Sequence, residues 1–350
     1  MDFKKGLKDF VDEFGFYIFI LFSTFVISLF EAAIPRRICL GQLYSKALAL
    51  KQVWEERLAL NEEKFLNLET IFGSPLFLIF LIFAFISMVM FLIQIYRALT
   101  LKPLIKRSNF SPSPLWSLKD FLKILVWVIF WLQIFSVSDE LLGFFMKIST
   151  EREYIVFNLF NSFALDVTIF VLILYWLKKY FGQGLSAVGI GLKKMLYSLK
   201  IALSSYLSFI PLLFIVMVLS LAFLGKYEKA SSPQLIFFFL LFEKNPLVLT
   251  LTSLFVILIG PFVEELFFRG LLYTVLKKSI GGLQALVISS LLFAFLHMNI
   301  IGFFPILALA FLFVYLYEKT GSLWCSIFVH VLHNGFILLL IFLWRRYVGI

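Results

Sequence analysis

The feature that most constrains this chain is a series of nine apolar runs, most of them close to 20 residues long. A helix that crosses the hydrocarbon core of a bilayer needs about 20 apolar residues. Hydrophobic residues make up 62% of the chain and charged residues 15%, whereas a soluble domain has about 45–50% and about 25%. The sequence therefore predicts an all-α fold, a polytopic membrane helix bundle with eight or nine transmembrane spans. The runs are 14–30, 75–96, 121–137, 157–177, 201–224, 247–260 (continuing into a helix from residue 261), 283–297, 301–317 and 323–344.

The positive charge of the chain is spread between these runs. The formal net charge is +10, carried in part by short clusters such as Arg36-Arg37, Lys178-Lys179 and Lys193-Lys194. Clusters at the ends of spans favour contact with lipid headgroups and retention of loops in the cytoplasm, and they do not form the single patch that a nucleic acid would bind. We expect an integral, multi-pass membrane protein (in the cell membrane, if it is prokaryotic) with membrane lipids as partners and no nucleic acid.

Three segments outside the clear spans have predicted structures of their own. Residues 36–70 are polar and helix-prone, and they predict a surface helix. Residues 186–200 contain Gly189, Gly191 and three lysines, and they predict a basic interfacial helix before the next span. Residues 235–242 are apolar but too short to cross alone, which predicts an interfacial or re-entrant piece.

The first residues that could take part in catalysis are the acid pair Glu264-Glu265. Gly260 allows a break, and Pro261 is favoured in a first helical turn, so the acids are predicted near a helix start, at the positive end of its dipole. Glu265 and Arg269 are spaced i,i+4 and can form an ion pair on one face. Glu264 points about 100° away from Glu265, which leaves it free to react. The alternative is a solvated acid pair that merely caps an interfacial helix.

The second group comprises the three histidines, all in the last third of the chain. His297 ends an apolar run, and His330 lies inside the last one with Asn334 at i,i+4. Polar side chains within a span need a polar cavity or a partner helix, because lipid offers no hydrogen bonds. His330 and His333 are spaced i,i+3, so periodicity does not choose between them. The alternative for each is a packing residue or a polar clamp between helices.

Together these groups can converge on one water molecule. Glu264 with His297 would take a proton from the water, which would attack a peptide carbonyl. His330 and Asn334 would donate hydrogen bonds to the tetrahedral oxyanion. A pocket inside the bilayer strengthens both effects because it excludes bulk water.

These residues form three ordered motifs that resemble those of the CAAX-protease (CPBP, or Abi) family of intramembrane endopeptidases. The resemblance covers roughly residues 247–343, including the connecting text at 267–273, 289–293 and 320–324. It implies a protease domain over 201–350, after an N-terminal transmembrane region over 1–200 with no assigned function. It selects His330 over His333, since only His330 has an asparagine four residues later. The catalytic residues it implies are Glu264, Glu265, Arg269, His297, His330 and Asn334, with Glu265 and Arg269 holding the helix in register.

The resemblance implies cleavage of a membrane-associated peptide or protein, including lipidated ones. It favours a metal-free mechanism, and zinc bound by Glu264, His297 and His330 stays open as the alternative. Two other functions also stay open. One is a non-catalytic immunity or binding protein of the same fold. The second is a proton-coupled transporter, in which the intramembrane acid Asp166 would be part of the proton relay. The alternative role for Asp166 is a structural bond to a neighbouring helix.

Overall fold

The computed structural model describes residues 75–100, 105, 116–145, 151–225 and 235–348. Over those residues the chain is helical, and no strand occurs among them. The predicted all-α membrane bundle is confirmed. The helices are α1 (Pro75–Leu99), α2 (Leu118–Phe145), α3 (Glu151–Phe181), α4 (Met195–Leu224), α5 (Leu235–Phe242), α6 (Pro246–Ile280), α7 (Gly282–Leu296), α8 (Phe303–Thr320) and α9 (Leu323–Val348).

Seven helical stretches in the described part of the chain are long and apolar enough to cross a membrane. They involve α1 to α4, α6, α8 and α9, and α7 is a shorter apolar helix of 15 residues. The predicted span at 14–30 and the predicted surface helix at 36–70 lie outside the described residues. The count of eight or nine spans is therefore approximate.

Outward-facing apolar side chains show why this bundle belongs in lipid. Leu78, Phe85 and Leu99 on α1 are 60%, 70% and 79% exposed. Large apolar side chains exposed along whole helices would be a liability in water, whereas hydrocarbon accommodates them. The seven apolar stretches and this exposed surface together make the chain an integral multi-pass membrane protein.

The described residues divide into two compact units. The first consists of residues 118–145 and 151–176, which are α2 and most of α3. It contains the half-buried Asp166, which has an interaction partner. The second consists of the described residues before 118 and after 176. The predicted functional division at residue 200 stays a prediction.

The segment before α4 is not the single interfacial helix that its composition predicts. Two 3₁₀ turns, Leu185–Val188 and Leu192–Lys194, precede α4, and Gly189 between them has φ +80°. A Cβ atom on Gly189 would lie 2.5 Å from the Gly321 carbonyl oxygen. The Gly189 carbonyl accepts a hydrogen bond of 3.3 Å from the Leu323 amide. This close approach requires glycine, and it ties the start of α4 to the α8–α9 connection.

Helix α6 corrects the prediction of a break before Pro261. The chain stays helical from Pro246 to Ile280, and Gly260 has φ −52° and ψ −59°. Two π-helical segments, Phe255–Ile259 and Leu266–Tyr273, flank the α-helical Gly260–Glu265. A widened turn accommodates the proline ring without ending the helix. The acid pair therefore lies in the middle of a long helix, where the dipole of a helix start does not act.

Candidate active site

A buried ion pair lies at the centre of the site. Arg269 Nη1 donates to Glu265 Oε1 at 2.9 Å, and the two side chains are 1% and 0% exposed. The i,i+4 contact between them is the one that the sequence predicts. The imidazole of His330, from α9, places its Nδ1 3.1 Å from the same Glu265 oxygen. Glu265 thus joins α6 to α9 within the bundle.

An aromatic cage encloses the cation of this pair. The Arg269 guanidinium lies 4.2 Å from the ring centre of Phe293, 4.9 Å from that of Phe313 and 5.9 Å from that of Phe268. Aromatic faces attract a desolvated cation. The Phe313 ring also stacks on His330, with centroids 5.0 Å apart and planes inclined by 23°. Phe313 therefore supports both Arg269 and His330.

Glu264 differs from Glu265 in exposure and in partners. Its side chain is 37% exposed, and its Oε2 lies 3.9 Å from His330 Nε2. That oxygen is shielded from solvent and has no hydrogen-bond partner among the described residues. One acid is therefore paired and buried, and the other is close to an imidazole and accessible. His330 lies between them, with one ring nitrogen towards each.

The contacts assign the proton positions on His330. Glu265 Oε1 already accepts a hydrogen bond from Arg269, so it acts as an acceptor towards His330 as well. We infer that His330 Nδ1 carries a proton, because a bare nitrogen facing this oxygen would be repelled. In the neutral ring, Nε2 then presents its lone pair towards Glu264.

His297 follows the same pattern at the end of α7. Its Nδ1 lies 2.7 Å from the Phe293 carbonyl oxygen, which can only accept, so Nδ1 carries the proton and Nε2 is left free. The ring is half-buried and packs on Phe293, with centroids 4.5 Å apart. The ring of Phe293 also contacts His330, edge to face, at 5.9 Å. Both imidazoles, those of His297 and His330, therefore pack against the ring of Phe293.

The remaining polar residues of α9 point to other partners. Asn334 Nδ2 donates to the Val256 carbonyl oxygen of α6 at 2.8 Å. His333 Nδ1 lies 3.2 Å from the hydroxyl of Tyr206 on α4. The two histidines that periodicity leaves equivalent are thus separated: His330 contacts the acids, and His333 contacts Tyr206. The predicted oxyanion role of Asn334 stays a prediction, with one of its two amide protons engaged.

Sequence reasoning missed the aromatic support of the site. Phe313 and Phe268 belong to a set of 46 phenylalanines, and a single apolar residue in an apolar helix carries no signal of what it packs against. The Tyr206 contact with His333 is missed for the same reason. A signal did exist for Phe293, which stands four residues before His297 in the motif that carries the resemblance.

The residues present do not fit a metal site in this geometry. Within the described ranges, no three His, Cys, Asp or Glu side chains come close enough to hold a metal ion. Glu264, His297 and His330 lie on three different helices and do not form such a group. A zinc site would also be placed beside the buried cation of Arg269. The mechanism proposed below therefore uses no metal ion.

Comparison with known proteins gives an independent view of this region. Residues 246–336 match the family model described as Type II CAAX prenyl endopeptidase Rce1-like. A stretch of 95 residues is 30% identical to the protein named Putative membrane peptidase YdiL of Bacillus subtilis (strain 168), and it represents 27% of this chain and 37% of that protein. No solved structure matches the chain.

The matched region coincides with the site. It runs from the start of α6 to the middle of α9 and contains all six predicted site residues. The chain aligns with little more than a third of the relative's length. The resemblance that the motifs predict is nevertheless confirmed: residues 246–336 of this chain are similar to CAAX protease-like membrane peptidases.

Proposed function

We propose that this protein is an intramembrane endopeptidase that hydrolyses a peptide bond of a membrane-associated protein or peptide. One observation carries the proposal: His330 lies between a buried, arginine-paired carboxylate and an accessible one whose Oε2 is 3.9 Å from its Nε2. A purely structural polar clamp would bury both acids, whereas the Glu264 side chain is 37% exposed and the Glu265 side chain is 0% exposed. An accessible carboxylate held next to an imidazole is an arrangement that suits general base catalysis.

The reaction begins at Glu264. Its carboxylate accepts one proton from a water molecule, with the unprotonated Nε2 of His297 as the second acceptor that orients this water. The water oxygen then forms a bond to the carbonyl carbon of the scissile peptide, and the carbonyl electrons move to the oxygen. Glu264 Oε2 lies 3.9 Å from His330 Nε2, so the two groups must approach by about 1 Å before the abstracted proton passes from carboxyl to imidazole.

His330 stabilises the intermediate when it holds that proton. Its Nε2–H then donates to the oxyanion, while Nδ1–H stays on Glu265. One such donor contributes about 3 kcal/mol in other hydrolases. The proton finally moves to the peptide nitrogen as the C–N bond breaks, which releases an amine and a new carboxyl group. Glu265, Arg269 and the aromatic cage keep the His330 ring oriented throughout.

The substrate class follows from the setting of the site. The site is built on helices that lie in lipid, so the scissile bond must be presented by a peptide that partitions into the membrane. The name of the matched family, a CAAX prenyl endopeptidase, adds lipidated C-terminal peptides to the candidates.

Terminal peptide proteomics tests this function directly. Membranes from cells with the wild-type protein and with Glu264→Gln are compared, with Glu318→Gln as the matched control. Glu318, on α8, forms an ion pair with Lys277 of α6. Glu318→Gln therefore removes one negative charge, as Glu264→Gln does, but outside the candidate active site. New peptide ends that appear with wild type and Glu318→Gln, and vanish with Glu264→Gln, support the proposal. Identical peptide ends in all three would refute it. A Glu264→Gln variant that still complements a deletion strain would favour a non-catalytic role.

A further inference from the structure

Pro261 leaves one backbone carbonyl of α6 without a donor. In the π-helical segment before it, the Gly260 amide donates to the Phe255 carbonyl, five residues back. The next bond in that register would run from residue 261 to the Val256 carbonyl. Proline has no N–H, so this bond cannot form. In lipid no water replaces it, and an unsatisfied carbonyl is costly.

Asn334 supplies the missing donor. Its Nδ2 donates to the Val256 carbonyl oxygen at 2.8 Å, from α9 to α6. The side-chain amide therefore stands where the backbone N–H of residue 261 would stand in a helix without proline. The contact joins the helix that carries Glu264 to the helix that carries His330.

Two other prolines within the described helices have the same arrangement. Pro211 leaves the Leu207 carbonyl without its i,i+4 donor, and Ser87 Oγ donates to that oxygen at 2.6 Å. Near the start of α8, Pro305 stands four residues after Ile301. The Ile301 carbonyl accepts from Ser220 Oγ at 2.5 Å. In all three cases a side chain from another helix satisfies the carbonyl that proline leaves free. The contact of Asn334 is thus one of three examples of the same solution.

We propose that Asn334 is a positioning residue, whose amide replaces the backbone donor that Pro261 lacks and so holds the widened turn that orients Glu264. A π-helical turn contains one more residue than an α-helical turn. One residue corresponds to a rotation of about 100° about the helix axis. If the turn before Gly260 tightened, Glu264 would rotate by that amount relative to the first part of α6. Its carboxylate would then leave the neighbourhood of His330.

This proposal differs from a direct role in which Asn334 donates a hydrogen bond to the oxyanion. The part of the test that measures cleavage rests on the proposed function. The two roles separate in a double-mutant cycle of Asn334→Leu and Pro261→Ala. Alanine at 261 restores a backbone N–H, which closes the helix in either register and makes the amide of Asn334 dispensable. Ser87→Leu and Pro211→Ala form the matched control at a proline remote from the acids: the first removes the same kind of side-chain bond, and the second restores the backbone N–H.

Thermal unfolding of purified, full-length variants in one detergent is the first measurement. We expect Asn334→Leu to lower the unfolding midpoint by about 3–8 °C in the wild-type background. In the Pro261→Ala background the same change should cost less than half of that shift. The control cycle should show the same rescue of Ser87→Leu by Pro211→Ala. An Asn334→Leu shift that is zero, or equal in both backgrounds, would overturn the proposal whether or not the protein is a peptidase.

Peptide cleavage by the same variants is the second measurement. We expect Asn334→Leu and Pro261→Ala each to lower kcat at least about a hundred-fold with little change in KM, since both let Glu264 rotate. The double variant should be no slower than Pro261→Ala alone, and Ser87→Leu should keep the wild-type kcat. A further loss of kcat on adding Asn334→Leu to Pro261→Ala would show that the amide acts on the reacting atoms instead. Absence of cleavage by the wild type would refute the proposed function. The thermal unfolding of the four variants would then decide whether Asn334 is a positioning residue.

Discussion

Replacing Arg269 by methionine tests how the buried centre of the site is held together. The change removes the cation that pairs with Glu265 at 2.9 Å and lies over three phenylalanine rings. Both partners are essentially unexposed, so Glu265 would keep only His330 as a donor in a place that water does not reach. Removing one partner of such a pair costs about 3–5 kcal/mol. At about 2–4 °C per kcal/mol, the unfolding midpoint should fall by about 6–20 °C.

Two comparisons isolate the cause of that loss. Lys277→Met removes the cation from Glu318, but the side chains of that pair are 27% and 26% exposed, so we expect a cost of less than about 1 kcal/mol. The double variant Glu265→Leu with Arg269→Met leaves no unpaired charge and should be more stable than Arg269→Met alone. Thermal unfolding in detergent gives all four midpoints. An Arg269→Met midpoint equal to that of wild type, or a double variant less stable than the single one, would refute the reasoning.

Three further outcomes follow from the same geometry. Phe313→Leu removes the stack under His330 and one face of the Arg269 cage, so we expect a destabilisation of about 1–3 kcal/mol and about a tenfold lower kcat with KM unchanged; a kcat equal to that of wild type would contradict this. His330→Leu should abolish cleavage, whereas His333→Leu, which only breaks the Tyr206 contact, should retain at least a tenth of the wild-type rate; equal losses in both would contradict the assignment. Chelation of metal ions should leave the rate unchanged, and loss of activity that stoichiometric zinc restores would contradict the metal-free mechanism.

Local spacing was enough to predict which of the two acids pairs with Arg269. Glu265 and Arg269 share a helix face by their i,i+4 spacing, and the structure pairs them. Glu264 is one residue out of that register, and its side chain is 37% exposed where that of Glu265 is 0% exposed. These relations depend only on helical geometry within six residues, which the sequence specifies.

The relations that the sequence could not predict are contacts between distant helices. A glycine before a proline in an apolar run is typical of a helix start, and α6 continues because Asn334, 78 residues away from Val256, supplies a donor there. Spacing also left His330 and His333 equivalent, because only the positions of α4 and α6 beside α9 separate Tyr206 from Glu265. Phe313 acquires its role in the same way, from the packing of α8 against the site.

Hydrolysis by the purified protein in proteoliposomes made in H₂¹⁸O tests the central claim most directly, namely that Glu264 activates water for attack on a peptide bond. With a substrate peptide taken from the proteomic comparison, wild type and Glu318→Gln should place one ¹⁸O atom in the new carboxyl group at the same rate. Glu264→Gln, equally folded by thermal unfolding, should be slower by about 10²–10⁴-fold. Cleavage by Glu264→Gln at the wild-type rate would contradict the account.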